Sequence, residues 1–239
     1  MTLALQIRDG IHDAIGPLEG TNRIAAAFYD GPGWARFRSW ERLFLTLVGG
    51  ARARLEILRH LPQRGGARVL EVGIGDGENL PYLPADWSLQ GVDIARTQLS
   101  ACLDRFPRMR DRLSWAEGEA LPFEDQEFDA TYSIGGFNYF RDQTLAMCEM
   151  RRVTRPGGVL MVADEVPDLC RYSLGHLLGV PAFTAWSLRR CGLDREFVAM
   201  VIGPPSDPED AARRQWPGYR RHRIWRGLGY CLLAHVPNS

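Results

Sequence analysis

The stretch Val69-Leu70-Glu71-Val72-Gly73-Ile74-Gly75-Asp76-Gly77 constrains the fold more than any other part of this 239-residue chain. A short apolar run leads into an acid and then three glycines on alternate positions. That order reads as a buried strand entering a turn too tight for side chains, because glycine tolerates positive φ and lets a ligand approach the backbone closely. The spacing is G-x-G-x-G, distinct from the G-x-G-x-x-G of dinucleotide-binding loops.

From Arg68 onward, short apolar runs alternate with helical patterns. Strands are expected at 68–72, 88–92, 112–116, 128–134, 157–163, 196–202 and 229–236, and helices at 77–83, 96–105, 141–151, 169–190 and 207–215. Such alternation specifies βαβ units, hence a parallel sheet with helices on both faces. Residues 1–62 read as helical throughout. Leu3, Leu5, Ile7, Ile11 and Ile15 form a rough apolar stripe, a second segment covers 21–29, and two more cover 35–48 and 51–61. In the third of these, Trp40, Leu43, Phe44, Leu47 and Val48 recur at helical spacing.

Ligands of open α/β sheets lie beyond the carboxyl ends of the strands, where strand order reverses. The glycine loop is that place. Gly73, Gly75 and Gly77 open the backbone to a ligand, and Glu71 supplies an acceptor beside them. Gly91-Val92-Asp93 ends the next strand, and Asp93 follows Gly73 by 20 residues. A carboxylate there can accept both ribose hydroxyls of a nucleoside. Asp93 as a simple helix N-cap is the bland reading. Loop and acid together point to a nucleoside site without choosing the cofactor.

Two further segments choose. Ala116-Glu117-Gly118-Glu119-Ala120-Leu121-Pro122-Phe123 precedes Phe128-Asp129-Ala130, and Met150-Arg151-Arg152-Val153-Thr154-Arg155-Pro156-Gly157-Gly158 leads into an apolar strand. With the glycine loop, Asp93 and the early Phe28-Tyr29-Asp30 element, these resemble the ubiquinone/menaquinone-type branch of the class I S-adenosylmethionine-dependent methyltransferases. The motifs cover about 60–165. The resemblance implies a Rossmann-like, doubly wound seven-stranded sheet with the last strand antiparallel, and S-adenosyl-L-methionine as cofactor. It implies that Glu117 holds the adenine amino group, in a position where the family usually carries Asp. Ile94, Gly118 and Ser133 complete the expected cofactor site.

The acceptor should lie beside the end of the fourth core strand, at Ser133-Ile134-Gly135-Gly136-Phe137-Asn138-Tyr139-Phe140. Asn138 and Tyr139 offer an amide and a phenol there and are the candidate catalytic residues; the alternative is that the aromatics simply pack the wall. Tyr29 and Trp34 precede the core, where related enzymes fold an N-terminal segment over the cofactor. Glu165 ends the fifth core strand beside Asp164. Residues 166–192 form an insertion with Leu174, Leu177, Leu178, Val180, Phe183 and Trp186, and His176 among them. This insertion is expected as a helical cap over the acceptor, with Glu165, His176 and Trp186 as contacts. An apolar cap suggests a hydrophobic acceptor of quinone, isoprenoid or lipid type. The arginines at 213, 214, 220, 221, 223 and 226 meet an acidic acceptor or lipid headgroup, or pair with Asp207, Glu209 and Asp210 on a solvated face.

Composition narrows the partners. Charged residues make up 24% and net charge is zero, so no global field favours nucleic acid or an anionic membrane. All 29 basic residues are arginine. The five cysteines lack a C-x-x-C pair and read as reduced thiols of a cytoplasmic protein, with no metal site. No secretory signal and no run of about 18 apolar residues is present, so nothing spans a membrane, while transient membrane contact is compatible with an apolar cap. The chain is expected as a single methyltransferase domain over 1–239, monomeric or homodimeric. Its parts are an N-terminal cap (1–62), a cofactor core (63–165), the insertion (166–192) and C-terminal strands (193–239). Methyl transfer to a small hydrophobic molecule is the expected activity. N-methylation of an amine-bearing lipid or metabolite, a non-catalytic cofactor-binding subunit and a nicotinamide-dependent oxidoreductase are the alternatives.

Overall fold

A computed structural model describes residues 6–238 apart from Val48 and Gln63. Leu3, Leu5 and Val48 of the expected apolar stripes lie outside the described residues, as do the side chains of Phe44 and Leu174.

The chain builds one nine-stranded sheet in the order β1-β2-β5-β4-β3-β6-β7-β9-β8. The central strands are β3 (Arg68–Val72), β4 (Ser88–Asp93), β5 (Leu113–Trp115), β6 (Phe128–Ile134) and β7 (Thr154–Glu165), all mutually parallel. β9 (Gly229–His235) runs antiparallel between β7 and β8 (Arg220–Ile224). These seven strands form a doubly wound core, six of them, all but β8, where the sequence places a strand. Two more, β1 (Gln6–Arg8) and β2 (Ile11–Asp13), extend it past β5.

Alternation along each strand decides what lies on which face. Val69, Leu89, Leu113, Tyr132 and Met161 point to one side, with Leu99 and Cys102 of α4 (Arg96–Arg105) and Ile57 of α3 (Gly50–Leu58). Leu70, Val72, Val92, Leu160 and Leu232 point to the other, against α5 (Gln143–Val153) and α9 (Pro208–Gln215). Burial on both faces explains the continuous apolar runs of these strands.

Several elements differ from the sequence expectation. The segment read as the first helix is a hairpin. Arg8 pairs with Ile11 across Asp9-Gly10, whose φ values of 58° and 82° are those of a two-residue primed turn. The apolar run at 196–202 is helix α8 (Arg195–Ile202), not a strand; the Asp194 carboxylate accepts from Phe197 N at 2.7 Å and caps it. The strand that replaces it is the arginine-rich β8. The long helix expected over 169–190 breaks at Gly179–Pro181 into a 3-10 turn, the single turn α6 (Leu174–Leu177) and α7 (Pro181–Arg190). The helix expected at 77–83 is one 3-10 turn, Leu80–Tyr82. The N-terminal helices α1 (Gly20–Asp30) and α2 (Pro32–Leu47) lie where they are expected, and Pro32 opens α2 at a position where its missing N–H costs nothing.

Candidate functional site

Strand order reverses at β3, so the carboxyl ends of β3, β4, β6 and β7 converge on one cleft. The chain leaves β3 through the glycine turn, which Gly73 N and Ile74 N pin to Val92 O at 2.8 and 3.0 Å. Gly75 has φ of 56° and open space where a Cβ would stand. Gly77 has φ of 79°, and a Cβ there would meet Leu80 Cδ1 at 2.5 Å and Cys102 Sγ at 3.0 Å. The first glycine leaves room for a ligand and the second lets α4 close on the turn.

Three carboxyl groups anchor this half of the cleft. Asp93 accepts from Gly75 N and Ala95 N, each at 2.8 Å. Burial pushes its carboxyl up to about 6 despite those donors. Glu71 is buried, accepts from Tyr132 Oη at 2.7 Å and from Asn79 Nδ2, and burial lifts it to about 7. Glu117 is half-buried at the end of β5. Asn22 of α1 donates to Glu117 at 2.9 Å and to Glu119 at 3.0 Å, tying the N-terminal helix to that loop. Gly118 is buried under Phe140, and Ile94 packs with the N-terminal aromatics while its carbonyl accepts from the Trp115 indole at 2.8 Å.

Ser133, fully buried at the end of β6, has a hydroxyl with no partner among the described residues. It lies 3.8 Å from where a Cβ on Gly73 would stand. A buried, unsatisfied hydroxyl aimed at an open glycine turn calls for a polar ligand. The residues present therefore fit an amino-acid moiety at the turn and a ribose at Asp93.

The roof comes from the N-terminal half. Phe28, Tyr29, Trp34 and Phe37 pack with Ile94, Tyr139 and Phe197, bringing together parts of the chain up to 169 residues apart. Phe28 stacks on Phe197 with ring centroids 4.0 Å apart. Gln98 of α4 clasps this roof, donating to Tyr29 O at 2.9 Å and accepting from the Trp34 indole at 3.1 Å. Asp30 accepts from Thr97 N and Oγ1 at 2.8 and 2.7 Å, capping α4 from outside. Arg38 of α2 binds Asp76 and Glu78 beyond the glycine turn, and Arg105 joins them.

Beneath the roof, Tyr139 donates to Glu165 at 2.9 Å. Asp164 is fully buried, accepts from Asn138 N and Glu165 N at 2.9 Å, and is raised well above the usual carboxyl range by burial and by Glu165. The Tyr29 phenol is raised far above its ordinary value, first by burial and then by Glu41, Glu165, Asp164 and Asp93. Glu41 is a residue that sequence reading missed. It sits one and two turns beyond Phe37 and Trp34 on the inner face of α2, and burial with Glu165 facing it lifts its carboxyl to about 7. The signal available was the period: Trp34, Phe37, Arg38 and Glu41 share one helical face.

Not every expected residue joins this group. Asn138 is engaged at both ends, its Nδ2 donating to Glu165 O at 2.7 Å and its Oδ1 accepting from Tyr230 Oη at 2.9 Å. His176 shares hydrogen bonds with Ser173 and Thr184 inside the insertion. Trp186 is 57% exposed and stacks on Phe183, on the outer side of the cap. The lid over the cleft is thus α1, α2 and α8, with Ala185 and Leu188 of α7 packed against it. The arginine cluster resolves into pairs: Arg213 and Arg214 with Asp210, Arg221 with Glu209.

Comparison with known proteins agrees with this fold. Residues 70–162 match a family described as a methyltransferase domain. A demethylmenaquinone methyltransferase of Beutenbergia cavernae is 31% identical over 238 residues, 93% of this chain and 87% of that protein. Methyltransferase GfsG of Streptomyces halstedii is 34% identical over 128 residues, 49% of this chain and 44% of that protein. The chain spans about half the length, 44 to 48%, of this and several other curated relatives it matches. Among solved structures, a Haemonchus contortus phosphoethanolamine N-methyltransferase with S-adenosylhomocysteine superposes with a TM-score of 0.63 at 16% identity, over 89% of this chain and 60% of that one.

Proposed function

The chain belongs to the quinone-type branch of the class I S-adenosylmethionine-dependent methyltransferases, and on that premise we propose that it methylates a small hydrophobic acceptor at a hydroxyl or acidic carbon. The observation that carries this reading is the Tyr139–Glu165 hydrogen bond under a roof of Phe28, Phe37 and Phe197. It supports a proton acceptor beside the space where an apolar molecule would be held.

When bound, S-adenosylmethionine supplies an electrophilic methyl carbon. The chain's residues bind, orient and dry the site. Asp93 would hold the ribose, the backbone at Gly73–Gly77 and Ser133 Oγ would hold the amino-acid end, and Glu117 with Gly118 and Ile94 would border the adenine. The aromatic roof excludes water and holds the reactants together, which is the main source of acceleration for an already activated donor. Glu165, oriented by Tyr139, takes the acceptor's proton, and Glu41, whose carboxyl is raised to about 7, is the group to which it can be passed on. Asn138 positions β6 against β7 and β9. The acidic, aromatic lining formed by Tyr29, Tyr139, Glu41 and Glu165 also suits a cationic amine, which supports N-methylation as the second reading. Free cysteines support a cytoplasmic location, and the shared sheet supports treating 1–239 as one domain.

The test is methyl release to a panel of quinols, phenols and amines, together with thermal shift by S-adenosylhomocysteine and by NADH. Stabilisation by the former and turnover of apolar hydroxyl compounds are expected. Turnover of amines alone selects the second reading, and S-adenosylhomocysteine binding without turnover of any class selects a non-catalytic subunit.

A further inference from the structure

The described residues hold their large exposed apolar side chains in few places. On α2, Trp40, Leu43 and Leu47 recur on one stripe and are 55, 49 and 64% exposed. On the insertion, Leu177, Leu178, Val180 and Phe183 are 69, 68, 52 and 46% exposed, beside Trp186. The two elements meet at one end: a Cβ on Gly33, at the start of α2, would stand 2.6 Å from Gly192 O, just past α7. Each element uses its other side for the roof, α2 through Trp34 and Phe37, α7 through Ala185 and Leu188. An apolar surface this concentrated marks a contact site.

Its charges indicate what it contacts. Arg36 and Arg52 are exposed on α2 and α3, and Arg171, Arg189 and Arg190 on the insertion, while Arg42 pairs with Glu78 at 3.5 Å. Arg190 lies over the Trp186 ring at 5.9 Å. Acids are scarce here: Glu41 is turned into the cleft, Glu56 pairs with Arg59, and Asp168 is the one acid between residues 166 and 190. Aromatic and leucine side chains ringed by arginine match the boundary of a bilayer, with rings and chains at acyl depth and guanidinium groups at the phosphates. Zero net charge of the whole chain is compatible with this, because the face is locally cationic while the acids lie elsewhere.

We propose that the outer face of α2 and the 171–190 insertion docks on an anionic lipid surface, with the cleft roof directly behind it. This deepens the lipophilic-acceptor reading by giving such a molecule a source. It is read by binding, not turnover, so either can fail alone.

The experiment uses the full chain with extruded vesicles of phosphatidylglycerol and phosphatidylcholine, against vesicles of phosphatidylcholine alone, by sedimentation and tryptophan emission. Wild type is expected to pellet with anionic vesicles, with a blue-shifted emission, and to partition roughly tenfold less when salt rises from about 0.1 to 0.5 M. Trp40→Glu and Phe183→Glu, at exposed positions, are expected to keep the wild-type circular dichroism and melting temperature and to lose partition by about tenfold or more. Arg189→Glu with Arg190→Glu is expected to abolish the preference for anionic lipid. Wild type that stays in the supernatant overturns the proposal, as does unchanged partition of both glutamate variants. A dimer that Trp40→Glu dissociates, without vesicle binding, assigns the face to a second copy and equally overturns it.

Discussion

Tyr139 donates its phenol hydrogen to Glu165 at 2.9 Å, joining the carboxyl end of β6 to that of β7. The bond fixes one Glu165 oxygen, and the Glu165 charge acts on Glu41. Removing either partner should therefore affect reaction more than cofactor binding. Glu165→Gln is expected to lower kcat by about a hundredfold and Tyr139→Phe by about tenfold, the lower range for a positioned proton acceptor. Calorimetry with S-adenosylhomocysteine should give a near-unchanged Kd for both. A loss confined to Kd would move Glu165 out of acceptor chemistry.

Glu41 gives the reaction a pH dependence. Its carboxyl titrates at about 7 because burial and the facing Glu165 disfavour its charge. Below that value Glu41 is neutral and no longer available to receive a proton passed on from the acceptor. Activity, as kcat/KM, should rise with pH through about 7 and level off above it. Glu41→Gln removes the ionisation and should flatten that limb; a profile with the limb intact would exclude Glu41.

Asp93 is positioned for the cofactor. Asp93→Ala should weaken S-adenosylhomocysteine binding by about 1.5–3 kcal/mol, the scale of hydrogen bonds to a charged group. Because its carboxyl titrates at about 6, binding should weaken as pH falls through that value, when the acceptor becomes a neutral acid. Calorimetry at about pH 5 and pH 8 checks both expectations.

Glu71 links pH to stability. Its folded value of about 7 lies above the ordinary value of 4.5, so its contribution is complete below 4.5 and is lost as pH rises through 7. Glu71→Gln cannot ionise. The difference in stability, variant minus wild type, should increase over that window and stay level outside it, as measured by denaturation at successive pH values. A pH-independent difference would mean that Glu71 is charged throughout.

The sheet core, β8 excepted, was legible because its strands are buried on both faces and are punctuated by glycine, proline or acid. The cofactor half of the site was legible for the same reason: Gly73–Gly77 and Asp93 sit at strand ends, where local sequence sets geometry. The roof was not. Phe197 meets Phe28 only through the fold, and the run Phe197–Ile202 has no polar residue to reveal a helical period, so its Asp194 cap was the sole local clue. The hairpin at Asp9-Gly10 had a turn signal that the apolar spacing of Ile7, Ile11 and Ile15 overrode. Glu41 was missed because a glutamate on an amphipathic helix usually faces water.

The β1–β2 hairpin has a consequence for self-association. Without it, β5 would present an open row of amide and carbonyl groups along the flank of a nine-stranded sheet. Instead β2 pairs with β5 and the rim is β1, three residues long and carrying Arg8, whose carbonyl is taken by the Arg96 side chain. A rim that short and that charged offers little template for another strand. Along that flank, sheet-to-sheet pairing of two copies is disfavoured, and fibrous growth would have to start elsewhere.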